Sequence, residues 1–183
     1  MQVLVLDGHH DAATSTAPLV VARLEAAGHD AHVVRLAEAG FDHFMSAEER
    51  AAYHEVDNLV SPAQRDAVAL LRRSDALVVC CPLEHGTVPP RVKSWFERVL
   101  IPGVSFTFTR SGRITAALTN IRRVAMVVSC PDRSREPHRR ASSGRSLLRG
   151  LRLNAHRLCR TSYVKLYPGD DAETIIAADV TGW

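Results

Sequence analysis

The chain has 183 residues, 46% of them apolar and 23% charged, with a formal net charge of +3. This length suits a single domain over 1–183, and the balance of apolar and charged residues excludes a disordered chain. So small a net charge does not by itself call for nucleic acid, and no stretch reaches the ~18 uninterrupted apolar residues of a membrane-spanning helix.

The first residues, Gln2 to Asp7, form a β-rich run without the basic start and cleavage site of a signal peptide, so a cytoplasmic chain is expected. Ser15 to Ala27 then places Leu19, Val20, Leu24 and Ala27 at helical spacing, with Gly28 as the stop. Asp30 to Leu36 reads as a second strand. Ala37 to Glu55, with Phe41, Phe44, Met45 and Tyr53, reads as a polar excursion packed over the sheet edge. Ser61 and Pro62 supply an N-cap and a first helical residue, and the helix they open buries Ala67, Leu70 and Leu71 before ending near Ser74. The unbroken apolar run Ala76 to Cys81 predicts a central strand buried on both faces. A loop over Pro82 to Val88, a helix over Pro89 to Leu100 and a strand over Val124 to Ser129 follow. A helix near Ser143 to Leu153 and a strand near Ser162 to Tyr167 complete the alternation. The fold class is therefore α/β, a doubly wound parallel sheet of five strands in three layers, which the resemblance given below makes flavodoxin-like.

In such a sheet ligands bind beyond the carboxyl ends of the strands, so the loops after the first, third and fourth strands carry the chemistry. The first, Gly8 to Thr16, offers hydroxyls and free N–H groups at a helix start, which suits either a phosphate or simple capping by Thr14 or Ser15. It lacks the glycines of the Walker and dinucleotide fingerprints, which disfavours ATP and a Rossmann NAD site. His9 and His10 are adjacent, so their side chains diverge, and no metal is expected. The four cysteines, Cys80, Cys81, Cys130 and Cys159, show no CxxC spacing and read as reduced thiols. Lys93 and Arg98 read as salt-bridge partners and Trp95 as core.

Pro82-Leu83, Val88-Pro89, Lys93-x-Trp95-Phe96-Glu97-Arg98-Val99-Leu100 and Pro102-Gly103-Val104-Ser105-Phe106 together resemble the signature of the NAD(P)H:quinone oxidoreductase family of flavodoxin-like flavoproteins. The first loop resembles that family's Ala-His-Pro-x-x-x-Ser-Phe-Asn element, and Gly40-Phe41-Asp42 with Met45 to Tyr53 resembles its excursion after the second strand. The resemblance covers roughly residues 1–130.

It implies that a flavin phosphate meets His9, Thr14, Ser15 and Thr16. It further implies that Pro82, Leu83, Glu84, His85 and Gly86 line the ring, and that Ser129, Cys130, Pro131 and Asp132 take the remaining ring edge. His138 falls near the family's active-site tyrosine and is the candidate catalytic donor. The implied chemistry is ping-pong hydride transfer from NAD(P)H through the flavin to a quinone-like acceptor, in a homodimer. FMN is favoured over FAD because no C-terminal extension for an adenine dinucleotide is evident. NADPH is favoured over NADH by the arginines Arg133, Arg135, Arg139, Arg140, Arg145, Arg149 and Arg152, a guanidinium being suited to a 2′-phosphate. The chain departs from the family at Thr16, where an Asn is usual, at His85 and Gly86, where an aromatic pair is usual, and at Ser129 to Asp132, where a Thr-Thr-Gly-Gly-like turn is usual. These departures motivate a second reading, a binding or regulatory module on the same fold that has lost turnover.

Overall fold

The run Ala76 to Cys81 does occupy the centre of the molecule. The computed structural model describes residues 1–132, 142–180 and 183. In it β1 (Gln2–Asp7), β2 (Asp30–Arg35), β3 (Ala76–Pro82), β6 (Arg123–Ser129) and β7 (Arg160–Leu166) form a wholly parallel sheet in the order β2-β1-β3-β6-β7. The remaining strands, β4 (Phe106–Phe108) and β5 (Ile114–Ala116), pair as a small antiparallel hairpin outside the sheet.

Residues alternate between sheet faces with period two, and each face has its own helical layer. Leu4, Leu6, Leu77, Val79, Met126 and Val128 point to one side, under α3 (Pro62–Arg73), α4 (Pro90–Val99) and α5 (Ser143–Asn154). Val3, Val5, Val78, Cys80, Ala125 and Val127 point to the other, under α1 (Ala17–Ala26) and α6 (Ala172–Val180). Because β1, β3 and β6 are covered on both faces, they carry nearly continuous apolar sequence.

Most element boundaries agree with the sequence reading; the hairpin of β4 and β5 and the helix α6 are additional to it, and the first helix and the excursion after β2 differ in detail. The first helix starts at Ala17, because Ser15 and Thr16 lie in the loop before it. The excursion after β2 contains a short helix, α2 (Ala47–Ala52), and is tied to α4. Its Phe41 is buried, whereas Phe44 is 86% exposed. The excursion is anchored by Glu49, whose carboxylate takes three bonds from the Arg98 guanidinium at 2.8–3.0 Å, and by Ser94, whose hydroxyl donates to His43 O at 2.5 Å. Trp95 is fully buried and Lys93 pairs with Glu97, as their sequence context predicts.

Candidate functional site

The carboxyl end of β1 places a charged group at the centre of the loops. Asp7 is only 2% exposed. Its Oδ1 accepts from the His9 backbone N–H at 3.0 Å and lies 2.8 Å from His9 Nδ1, while its Oδ2 accepts from Ser15 Oγ at 2.8 Å. Burial acts to raise the Asp7 pKa, but the bonds from His9 and Ser15 outweigh it and hold the carboxyl below its ordinary value. The His9 ring, its Nδ1 turned to Asp7, directs Nε2 to Ser129 Oγ at 3.4 Å, so it spans from the end of β1 to the end of β6. Arg91 on α4 donates to His9 O at 3.2 Å and pairs with Asp42 at 3.1 Å. Gly8 permits this approach: a Cβ there would stand 2.4 Å from Val92 Cγ2 and 3.1 Å from Cys81 Cβ.

The first loop is thus organised from within. Asp11 accepts from Ala13 N at 2.9 Å and caps a single 3-10 turn at Ala12–Thr14, and Thr14 Oγ1 donates to Asp11 O. His9 and Ser15, which the resemblance puts at a flavin phosphate, both bond Asp7. Thr16 differs. It occupies the N-cap of α1 without capping it, and its buried hydroxyl has no oxygen or nitrogen partner; the polar group it meets is the Cys80 thiol, a weak hydrogen-bond partner. A buried hydroxyl with only that partner keeps capacity that a ligand oxygen or a water would satisfy.

Beyond β3 the chain makes a tight two-residue turn. Glu84 N donates to Thr87 O and Thr87 N to Glu84 O, with His85 at φ 50° and Gly86 at φ 75° between them. Positive φ at both central positions is the geometry a type I′ turn demands, and for His85 it is a sparsely populated conformation. The turn is held from outside by Ser143 at the start of α5: its N donates to Gly86 O at 3.2 Å, and its Oγ accepts from Val88 N at 2.9 Å. Leu83 N donates to Ser129 O, so the loops after β3 and β6 are joined as well. The N–H groups of Leu83, Glu84, Thr87 and Val88 are therefore all engaged inside the protein. His10, Pro82, Glu84 and Thr87, with Val88, Pro89 and Pro90, surround a recess of about 80 Å³. This is too small to enclose a three-ring heterocycle.

After β6, Cys130 is buried and its N–H donates to Leu166 O; Pro131 is exposed and Asp132 half-buried. His138 and the arginines 133, 135, 139 and 140 lie outside the described residues. Of the remaining predicted arginines, Arg145 stacks over the Tyr163 ring at 4.4 Å, and Arg149 is exposed further along α5. Arg152 bonds Arg157 O at the far end of the sheet, away from these loops. Asp7, Arg91 and Ser143 were not singled out in the sequence. The available signal was the Asp-x-His spacing at the end of an apolar strand.

All four cysteines are buried and none forms a disulfide. Burial pushes the Cys81 thiol up to about 12 and raises Cys80 and Cys159 as well. The folded protein is expected to leave a thiol reagent such as DTNB unreduced over the time in which the denatured chain reacts fully. Rapid labelling of Cys80 or Cys81 in the native state would contradict this packing.

Residues 1–180 match the family Flavodoxin_2, described as a flavodoxin-like fold. The chain belongs to this family. Among curated relatives, FMN-dependent NADH:quinone oxidoreductase 1 of Idiomarina loihiensis is 39% identical over 51 residues, which are 28% of this chain and 27% of that one. The FMN-dependent NADH:quinone oxidoreductase of Shewanella amazonensis is 37% identical over 60 residues, 29% and 31% of the two chains. The match therefore spans less than a third of either relative. Among solved structures, an FMN-dependent NADH-azoreductase from Bacillus anthracis in complex with FMN superposes with a TM-score of 0.73 at 12% identity, covering 99% of this chain and 96% of that one. The NAD(P)H:quinone oxidoreductase of Methanothermobacter marburgensis gives 0.68 at 19% identity, covering 100% and 96%. At these identities the likeness is one of fold.

Proposed function

We propose that this chain is an FMN-dependent NAD(P)H oxidoreductase that reduces a small quinone-like or azo acceptor in ping-pong order, as a cytoplasmic homodimer. When bound, FMN supplies the two-electron chemistry between nicotinamide and acceptor. The observation that carries the reading is the buried hydroxyl of Thr16, met only by the Cys80 thiol, in the loop where the family resemblance implies a flavin phosphate.

The residues fit the phosphate end of that group, and the recess at the ring end is too small to enclose the ring. Thr16, with the exposed Thr14 beside it, would hold the phosphate at the start of α1, where the helix dipole favours an anion. Asp7, His9 and Ser15 act beneath it, fixing the loop. At the ring end the rigid turn at His85 and Gly86, pinned by Ser143, would present its backbone, with Ser129 to Asp132 opposite.

Flavin absorbance in the purified protein, identification of FMN by mass after extraction, and bleaching on adding NAD(P)H without oxygen are the expected results. Thr16→Val is expected to weaken FMN binding ~10-fold, the loss of one hydrogen bond to a charged group. A colourless protein that takes up no FMN would overturn the proposal. The second reading, a module without turnover, is favoured by the small recess and the internally engaged N–H groups after β3. It predicts bound flavin that NAD(P)H leaves oxidised.

A further inference from the structure

At the amino ends of the strands, opposite the loops just described, the surface is strongly basic. Arg72 and Arg73 end α3, Arg122 lies just before β6, Arg157 stands in the connection from α5, and Arg160 opens β7; all five are exposed. Backbone contacts bring them onto one face. Arg122 N donates to Asp75 O and Arg160 N to Arg122 O, while the Asn120 amide bonds the carbonyls of Arg72 and Ser74. Among the described residues none of these arginines has a carboxylate within ion-pair reach. Of the acidic groups at this end, Asp30, Asp75 and Asp179 accept instead from Gln2 and Ser162, and Glu25 stands exposed in the last turn of α1, before the edge strand β2.

Two large apolar side chains stand in the same region. Leu153, in the last turn of α5, is 78% exposed, and Leu158, in the turn leading to β7, is 67% exposed. The two segments are tied together, because Arg152 in α5 donates to Arg157 O at 2.8 Å. Protruding leucines at the same end as arginines without a carboxylate partner match an anionic bilayer surface, where apolar tips enter the interface while guanidinium groups meet phosphates. Nucleic acid fits less well, since the side chains that stand out among the arginines are leucines rather than stacking aromatics.

We propose that this amino-end face docks the protein peripherally on an anionic phospholipid membrane, through Arg72, Arg73, Arg122, Arg157 and Arg160, with Leu153 and Leu158 seated in the headgroup layer. No described helix is long and apolar enough to cross a membrane, so the contact is one of surface attachment. A strand of seven residues separates the two ends of the sheet by roughly 20 Å, so the loops at the carboxyl end would face away from the lipid. Docking and flavin chemistry are therefore independent properties.

The test is co-sedimentation of the whole protein with vesicles of phosphatidylcholine, with and without a quarter of phosphatidylglycerol. Binding is expected only to the anionic vesicles, and it should be lost on raising salt to about 0.5 M, where charge interactions are screened over a few ångströms. The pair Arg157→Glu and Arg160→Glu should weaken it by ~25-fold or more, at about fivefold per arginine removed. Leu153→Ser with Leu158→Ser should weaken it by ~10-fold while leaving the salt dependence in place. Flavin content and NAD(P)H oxidation should be unchanged in all these variants, which separates a failure of docking from a failure of the proposed function. Absence of binding to anionic vesicles, equal binding to neutral ones, or binding to duplex DNA without binding to vesicles would each overturn the proposal.

Discussion

Arg98→Ala is expected to lower the unfolding free energy by about 3–5 kcal/mol, the range for breaking a buried ion pair from one side. The guanidinium is 6% exposed and reaches both oxygens of Glu49, which is 3% exposed. It also donates to Gly40 O at 2.7 Å and lies 4.9 Å from the Phe41 ring centre. Truncation leaves the Glu49 carboxylate buried with only Ser46 N and Ser61 Oγ as donors, and removes the most buried of the ties between the excursion after β2 and α4. Replacing both partners, Arg98→Met with Glu49→Leu, should cost much less, because no unpaired charge remains. Denaturant titration of the single and double variants measures this. A loss below about 1 kcal/mol for Arg98→Ala would show that the pair does not anchor the excursion.

The same pair fixes a dependence on pH. Burial pushes the Glu49 pKa up, but the bonds from Arg98, Ser46 and Ser61 prevail and hold it below the ordinary value. A carboxyl whose folded pKa is depressed contributes stability that is complete above its unfolded pKa and is lost as pH falls through the folded one. The difference between wild type and Arg98→Ala should therefore be largest near neutrality and shrink on acidification below the ordinary glutamate range.

The parallel sheet was legible because burial on both faces writes itself into sequence as the unbroken runs Ala76 to Cys81 and Val124 to Ser129. The helix at Pro62 was legible because Ser61 suits an N-cap and Pro62 the first helical position, and the structure adds a reciprocal capping box between Ser61 and Gln64. The hairpin of β4 and β5 left no such trace: its strands are three residues each and mostly exposed, so no periodic apolar pattern marks them. Helix α6 did leave one that the reading passed over, Asp171 accepting from Thr174 N ahead of Ile175 and Ile176. For the site, sequence located the loops at the right end of the sheet but not the direction of their side chains. His9 and Ser15 are donors that suit a phosphate by type. Only the fold shows that the Asp7 carboxylate, two and eight residues away, already takes their bonds.

That internal carboxylate leads to an expectation in which stability and binding move in opposite directions. Asp7→Ala removes the acceptor for His9 N, His9 Nδ1 and Ser15 Oγ in a buried setting, and should cost about 2–3 kcal/mol of stability. Asp7→Asn keeps an oxygen for His9 but not the charge, and should cost less. Because the folded pKa of Asp7 is lowered, its contribution is complete above the ordinary aspartate range and disappears as pH falls through the folded value. The deficit of Asp7→Ala should therefore be greatest near neutrality. If FMN is held with its phosphate above this loop, removing a buried anion beneath it lessens the repulsion, and His9 and Ser15 become available to the ligand. FMN should then bind Asp7→Asn ~3-fold more tightly than wild type, although the variant melts at a lower temperature. Riboflavin, which has no phosphate, should show no such gain. Weaker FMN binding to Asp7→Asn, in step with its stability, would instead make Asp7 part of the ligand's own support.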